Sequence, residues 1–113
     1  MPLDFSRVVI TAPLVSMVTA KDHLRIAQDD TAHDADVSAK LDASQELVIS
    51  KLGAAADAAW TEATAPRVVR HSILIALDAL YERRGGDEAN DQLRKALQTI
   101  DLLIALYRDP ALA

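Results

Sequence analysis

Three histidines, His23, His33 and His71, and the acidic run Asp29, Asp30, Asp34 and Asp36 are the side chains whose types could do chemistry in this chain. Imidazoles ligate zinc and shuttle protons, and clustered carboxylates hold hard cations through oxygen. The spacing argues against both uses. No two histidines stand at i, i+4 with the glutamate of a zinc protease. The aspartates lack the turn glycine and the distal bidentate glutamate of a calcium loop, and they read instead as a solvated cluster that caps a helix. Serines, histidines and aspartates are present, but there is no glycine-framed nucleophile and no glycine-rich phosphate cradle. Nothing brings particular carboxylates together, so no catalytic residue, metal ligand or cofactor is assigned and the chain is not read as an enzyme. Arg67, Arg70, Arg83 and Arg84 lie near Glu62, Asp78, Glu82, Asp87 and Glu88, which predicts ordinary surface pairing worth little in stability. Trp60, in a segment of small residues, either packs down on the helices as a lid or projects as an interface anchor.

The elements that must position these residues are helical. Residues 1 to 17 mix Pro2, Pro13 and β-branched residues without helical spacing and read as an extended arm, either a strand or disordered. Thr19 is placed to cap a short first helix over Ala20 to Arg25, with Leu24 as its apolar anchor. A polar break from Gln28 precedes a second helix, about Asp34 to Leu52, whose stripe is Val37, Leu41, Leu47, Val48 and Leu52 with Ala43 and Ser44 between. Gly53 ends it, and 54 to 65 reads as a loop. Pro66 opens a third helix, capped by Thr64 or Ala65, in which Val69, Ile73, Ala76, Leu77 and Leu80 are joined by Leu74 and Ile75. Apolar on most sides, this is the expected central helix. Arg83, Arg84 and Gly85-Gly86 supply its stop, and Asp87 is placed to cap a fourth helix carrying Leu93, Leu97, Ile100, Leu103, Ile104 and Tyr107. The expected fold is all-α: a single helical domain over 18 to 113, a bundle of about four helices, preceded by the arm.

At 113 residues the chain fits one domain, burying roughly 65% of its unfolded surface. Half of the residues are hydrophobic, but 21 are alanine and four are aromatic, so the core is thin and association is a natural supplement to it. A net charge of −5 disfavours a module that wraps nucleic acid by neutralising phosphates. The absence of cysteine removes disulfides, thiolate metal sites and cysteine nucleophiles. No leader pattern or membrane-length apolar run is apparent, and the expectation is a soluble, untargeted protein. The last helix carries Leu102, Leu103, Leu106 and Tyr107 besides Ile100 and Ile104, more apolar surface than one face needs. Either a partner groove covers the excess or the helix is sandwiched within its own subunit.

Several of these motifs occur together in an order that resembles the small head-tail connector, or adaptor, proteins of long-tailed phages and gene transfer agents. They are a short Thr-led helix closing in His23-Leu24-Arg25-Ile26, then Asp29-Asp30 and a long helix to Leu52. A Pro66-started apolar helix follows, ending in Tyr81-Glu82-Arg83-Arg84, and last comes Leu102 or Leu103 through Tyr107-Arg108. The resemblance covers about residues 15 to 108; between Gly53 and Ala65 the alanines and Trp60 depart from the family's Thr-Gly turn.

The resemblance implies a virion protein of the particle neck, assembled in the bacterial host cytoplasm. It forms a homo-oligomeric ring, commonly twelvefold, between the portal protein and a stopper or tail-completion protein. DNA passes through such a ring without specific binding, and no membrane is involved. On that reading Leu102, Leu103, Leu106, Tyr107 and Arg108 are expected to dock the portal, and Phe5, Val8, Val9 and Trp60 to touch neighbouring subunits. The alternative is an acidic helical interaction module, a regulator or antitoxin-like partner, that forms small oligomers.

Overall fold

The structure, a computed structural model, describes residues 12–81 and 86–108, with the backbone alone for 86–90. Among the described residues it is all-α, without strands: α1 (Met17–His23), α2 (Asp34–Leu52), α3 (Arg67–Tyr81) and α4 (Gly86–Arg108). A short 3₁₀ turn, Gly53–Ala55, follows α2. Helix α3 is central. It packs against α2 on one side and α4 on another, while α1 leans on α2 and α3. Val69, Ile73, Ala76 and Leu77 of α3 are buried together with Val37, Leu41, Val48 and Leu52 of α2 and Ile100 and Ile104 of α4. Ile49, outside the expected α2 stripe, is buried too, because α2 is covered by α4 as well as α3. Ser44 and Ser72 are fully buried, their hydroxyls donating to the carbonyls of Lys40 at 2.7 Å and Val68 at 2.8 Å. These bonds satisfy the two hydroxyls within their own helices.

The predicted helix ends shift by a turn or less, each for a local reason. Ser16 caps α1 in place of Thr19: its backbone is extended, and its Oγ accepts from the Thr19 N–H at 3.2 Å. Helix α1 stops at His23, earlier than expected, through a left-handed closure. Arg25 sits at φ 62°, its N–H donates to the Asp22 carbonyl and the Ile26 N–H to the Lys21 carbonyl, a geometry that glycine usually supplies. Pro66 is the cap of α3 and not its first helical residue, since its carbonyl accepts from both Val69 and Arg70 N–H groups. Thr64, one of the two expected caps, instead accepts the Thr61 N–H at 2.9 Å and closes the preceding turn. Helix α4 begins at Gly86, which places Asp87 inside its first turn instead of at the cap. Of the expected α3 stop, Arg83, Arg84 and Gly85 lie outside the described residues, and Gly86 is already the first residue of α4.

The segment expected to be arm is held down where it is described. Leu14 and Val15 are buried in the core, and Met17 already belongs to α1. Gln45 of α2 clamps the backbone here, accepting from the Leu14 N–H at 2.7 Å and donating to the Ala12 carbonyl at 2.9 Å. Glu62 accepts the Ser16 N–H at 2.7 Å. Residues 1–11 lie outside the described residues.

The α1 to α2 connection is fixed from beneath by Lys21, which is 3% exposed. Its ammonium donates to the Gln28 carbonyl at 3.0 Å, the Asp30 carbonyl at 2.7 Å and Asp34 Oδ1 at 2.8 Å. Three acceptors use all three donors of the ammonium, which is how a buried lysine is tolerated. Replacing Lys21 with alanine strands these acceptors, and a loss of about 2 kcal/mol is expected, read as a fall in Tm of roughly 10 °C by calorimetry. Arg25→Gly acts the other way: the left-handed position suits glycine, and a gain of roughly 0.5–1 kcal/mol is expected in urea denaturation.

Candidate functional site

The residues with chemical potential do not converge. His23 Nε2 lies 2.8 Å from Asp78 Oδ2 and ties α1 to α3. His33 occupies the cap position of α2 without a side-chain capping bond, and His71 is exposed on α3. Asp29 and Asp30 are exposed, and Asp30 Oδ1 accepts the Ala32 N–H at 3.1 Å. The oxygens that converge in this loop, from Gln28, Asp30 and Asp34, converge on the Lys21 ammonium. A cation site of that polarity is therefore filled by the chain's own cation. Among the described residues no group of three or more His, Asp or Glu side chains has metal-holding geometry.

Of the arginines and acids expected to pair, Arg67, Arg70, Glu62 and Asp78 are described. Glu62 accepts from the Ser16 backbone and Asp78 meets His23, and neither forms an ion pair with Arg67 or Arg70. The Nε of Arg70 is buried and has no hydrogen-bond partner among the described residues. Glu82, Arg83 and Arg84, and the side chains of Asp87 and Glu88, lie outside the described residues. Among the described residues the lysine and arginine ion pairs are Lys21–Asp34, Lys40–Asp36, Lys51–Asp101 and Arg94–Asp91. Lys40 also stands 5.4 Å from the centroid of the Tyr81 ring.

What remains is surface. Of the five residues expected to dock a portal, Leu102 is 60% exposed and Arg108 is exposed, its Nη1 donating to the Lys51 carbonyl at 3.4 Å. Leu103, Leu106 and Tyr107 are half-buried. Helix α4 is thus partly covered within its own subunit, by its Ile100 and Ile104 stripe, and partly open through Leu102. Trp60, expected among the neighbour contacts, is 8% exposed and meets Tyr107 edge-on at 6.3 Å between ring centroids. That is the lid arrangement, and little of the ring is left for a neighbour. Phe5, Val8 and Val9 lie outside the described residues. Sequence reasoning missed Val18, which is 64% exposed on α1, and the polar ties made by Lys21, Gln45 and Glu62. A long polar side chain defaults to solvent in any sequence reading, so no local signal marks these three.

No helix among the described residues is long and apolar enough to cross a membrane. Comparison with protein-family models, curated proteins and solved structures finds no match for the chain.

Trp60 is the sole tryptophan, so its emission reports on the lid directly. A short-wavelength maximum with weak acrylamide quenching is expected in the native protein, shifting to long wavelength on unfolding; native emission already at the long-wavelength position would contradict the packing against Tyr107.

Proposed function

We propose that the chain is a structural subunit of a head-tail connector, a homo-oligomeric ring between a portal and a stopper or tail-completion protein through which DNA passes. The observation that carries the reading is the order and spacing of the motifs from Thr19 to Arg108. An all-α fold whose polar ties hold connections in place, with no converging set of catalytic side chains among the described residues, is compatible with a scaffold role. The acidic balance suits a channel that lets a polyanion slide without trapping its phosphates. The last turn of α4, with Leu106, Tyr107 and Arg108, is the portal-facing element in this reading.

The deciding experiment is the mass of the purified full chain by light scattering over a concentration series, with electron microscopy of large species. Rings of about a dozen subunits are the expected result, and a fixed compact dimer would move the assignment to the interaction-module alternative. Deleting α4 is unsuitable as a docking test because Ile100 and Ile104 belong to the core. Arg108→Glu leaves that core intact and is expected to weaken co-sedimentation with portal particles severalfold.

A further inference from the structure

Helices α1 and α4 each pack against both α2 and α3. Each carries one strongly exposed large apolar residue, Val18 on α1 and Leu102 on α4; these are the two such residues among those described. Each apolar residue shares its exposed stripe with a charge. Asp22 follows Val18 by one turn, and Lys95 precedes Leu102 by two. Asp22 and Lys95 are exposed and make no ion pair among the described residues. Every other lysine has one, with Asp34, Asp36 or Asp101.

The two stripes also run in matching order. Helix α1 starts at Ser16 beside Glu62 of the α2 to α3 connection and ends at His23 beside Asp78 near the end of α3. Helix α4 runs the opposite way, with Asp101 beside Lys51 at the end of α2. Val18 and Leu102 therefore stand toward the same end of the bundle, with Asp22 and Lys95 both displaced toward the other end. The displacements are about 6 Å along α1 and about 10 Å along α4, a difference that a lysine side chain spans.

We infer that the α1 face of one copy of this chain docks on the α4 face of the next, Val18 against Leu102 and Asp22 against Lys95. The occupant of each face is a second copy because the charges without an ion pair among the described residues are opposite in sign on the two faces and displaced in the same direction from the apolar contact. The two faces are different surfaces of the subunit, so the contact is heterologous and propagates around a rotation axis, closing as a ring when the rotation allows. The inference rests on the connector reading and supplies its subunit interface. It assigns Leu102 to the neighbouring copy and leaves Leu106 to Arg108 for the portal.

The chain has no cysteine, which makes disulfide trapping specific. Val18→Cys and Leu102→Cys variants, one carrying a mass tag, are mixed at high concentration and oxidised. The mixed disulfide is expected to dominate over both homodimers. Adding Asp22→Lys to the first variant, or Lys95→Asp to the second, should cut its yield about threefold, the scale of one exposed ion pair. Combining the two charge changes should restore it. Homodimers equal to the mixed species, no mixed species at all, or no rescue by the double reversal would overturn the assignment. Light scattering on the untreated wild-type protein separates the two ideas: rings without the mixed disulfide overturn this interface and leave the connector reading standing, whereas a dimer joined through like faces overturns both.

Discussion

Helix α3 has apolar residues on most of its circumference, and the rest of the chain is arranged to remove them from water. Val69, Ile73, Ala76 and Leu77 form one stripe that is almost wholly buried, and Leu74 and Ile75 beside it are half-buried against the core, a wider arc than the one stripe a single neighbouring helix covers. Helix α2 therefore takes one side and α4 another, and α1 with the buried Leu14 and Val15 covers part of what remains. Ser44, Ser72 and Ala76 are small and buried, and small residues let neighbouring backbones approach closely. The same smallness keeps the apolar area per helix low, which is the sense in which this core is thin.

A thin core places weight on polar ties between segments that no apolar stripe would align. Lys21, Gln45 and Glu62 perform this role at three places: the α1 to α2 connection, the segment before α1, and the junction of that segment with the α2 to α3 connection. Lys21 is the most demanding, because an ammonium removed from water is strongly unfavourable without full compensation. Its two carbonyl partners and one carboxylate provide that compensation and leave little geometric freedom. The acidic cluster above it thereby has a structural origin: part of its charge neutralises a cation of the chain's own. Arg25, held left-handed, belongs to the same construction, because the turn it makes returns the chain over Lys21 through the Ile26 N–H.

Such a fold has a buried interior and two outer helices, α1 and α4, with different exposed faces. For a subunit proposed to stand in a ring, that difference matters more than any pocket, since a closed cyclic array is built from two unlike complementary surfaces, whereas a symmetric dimer uses one surface twice. Helix α4 is open at Leu102 and half-buried at Tyr107, which meets the edge of Trp60.

The fold class, the order of helices and the ends of α2 were legible in the sequence because they depend on period and on local chemistry: apolar residues every three or four positions, a glycine after Leu52, a proline before Arg67. The α1 cap was misplaced because Ser16 and Thr19 are equally good cap residues, and the extended backbone at Ser16, tied through its N–H to Glu62, is a choice made 46 residues away. The burial of Leu14 and Val15 likewise depends on Gln45, and the role of Lys21 on carbonyls that approach only after α1 closes. Whether Trp60 covers the core or faces outward depended on where the end of α4 came to lie. Local periodicity is a property of neighbouring residues and can be read along a chain; burial, polar compensation and the choice of open surface are set by segments distant in sequence, and only the tertiary structure brings those together.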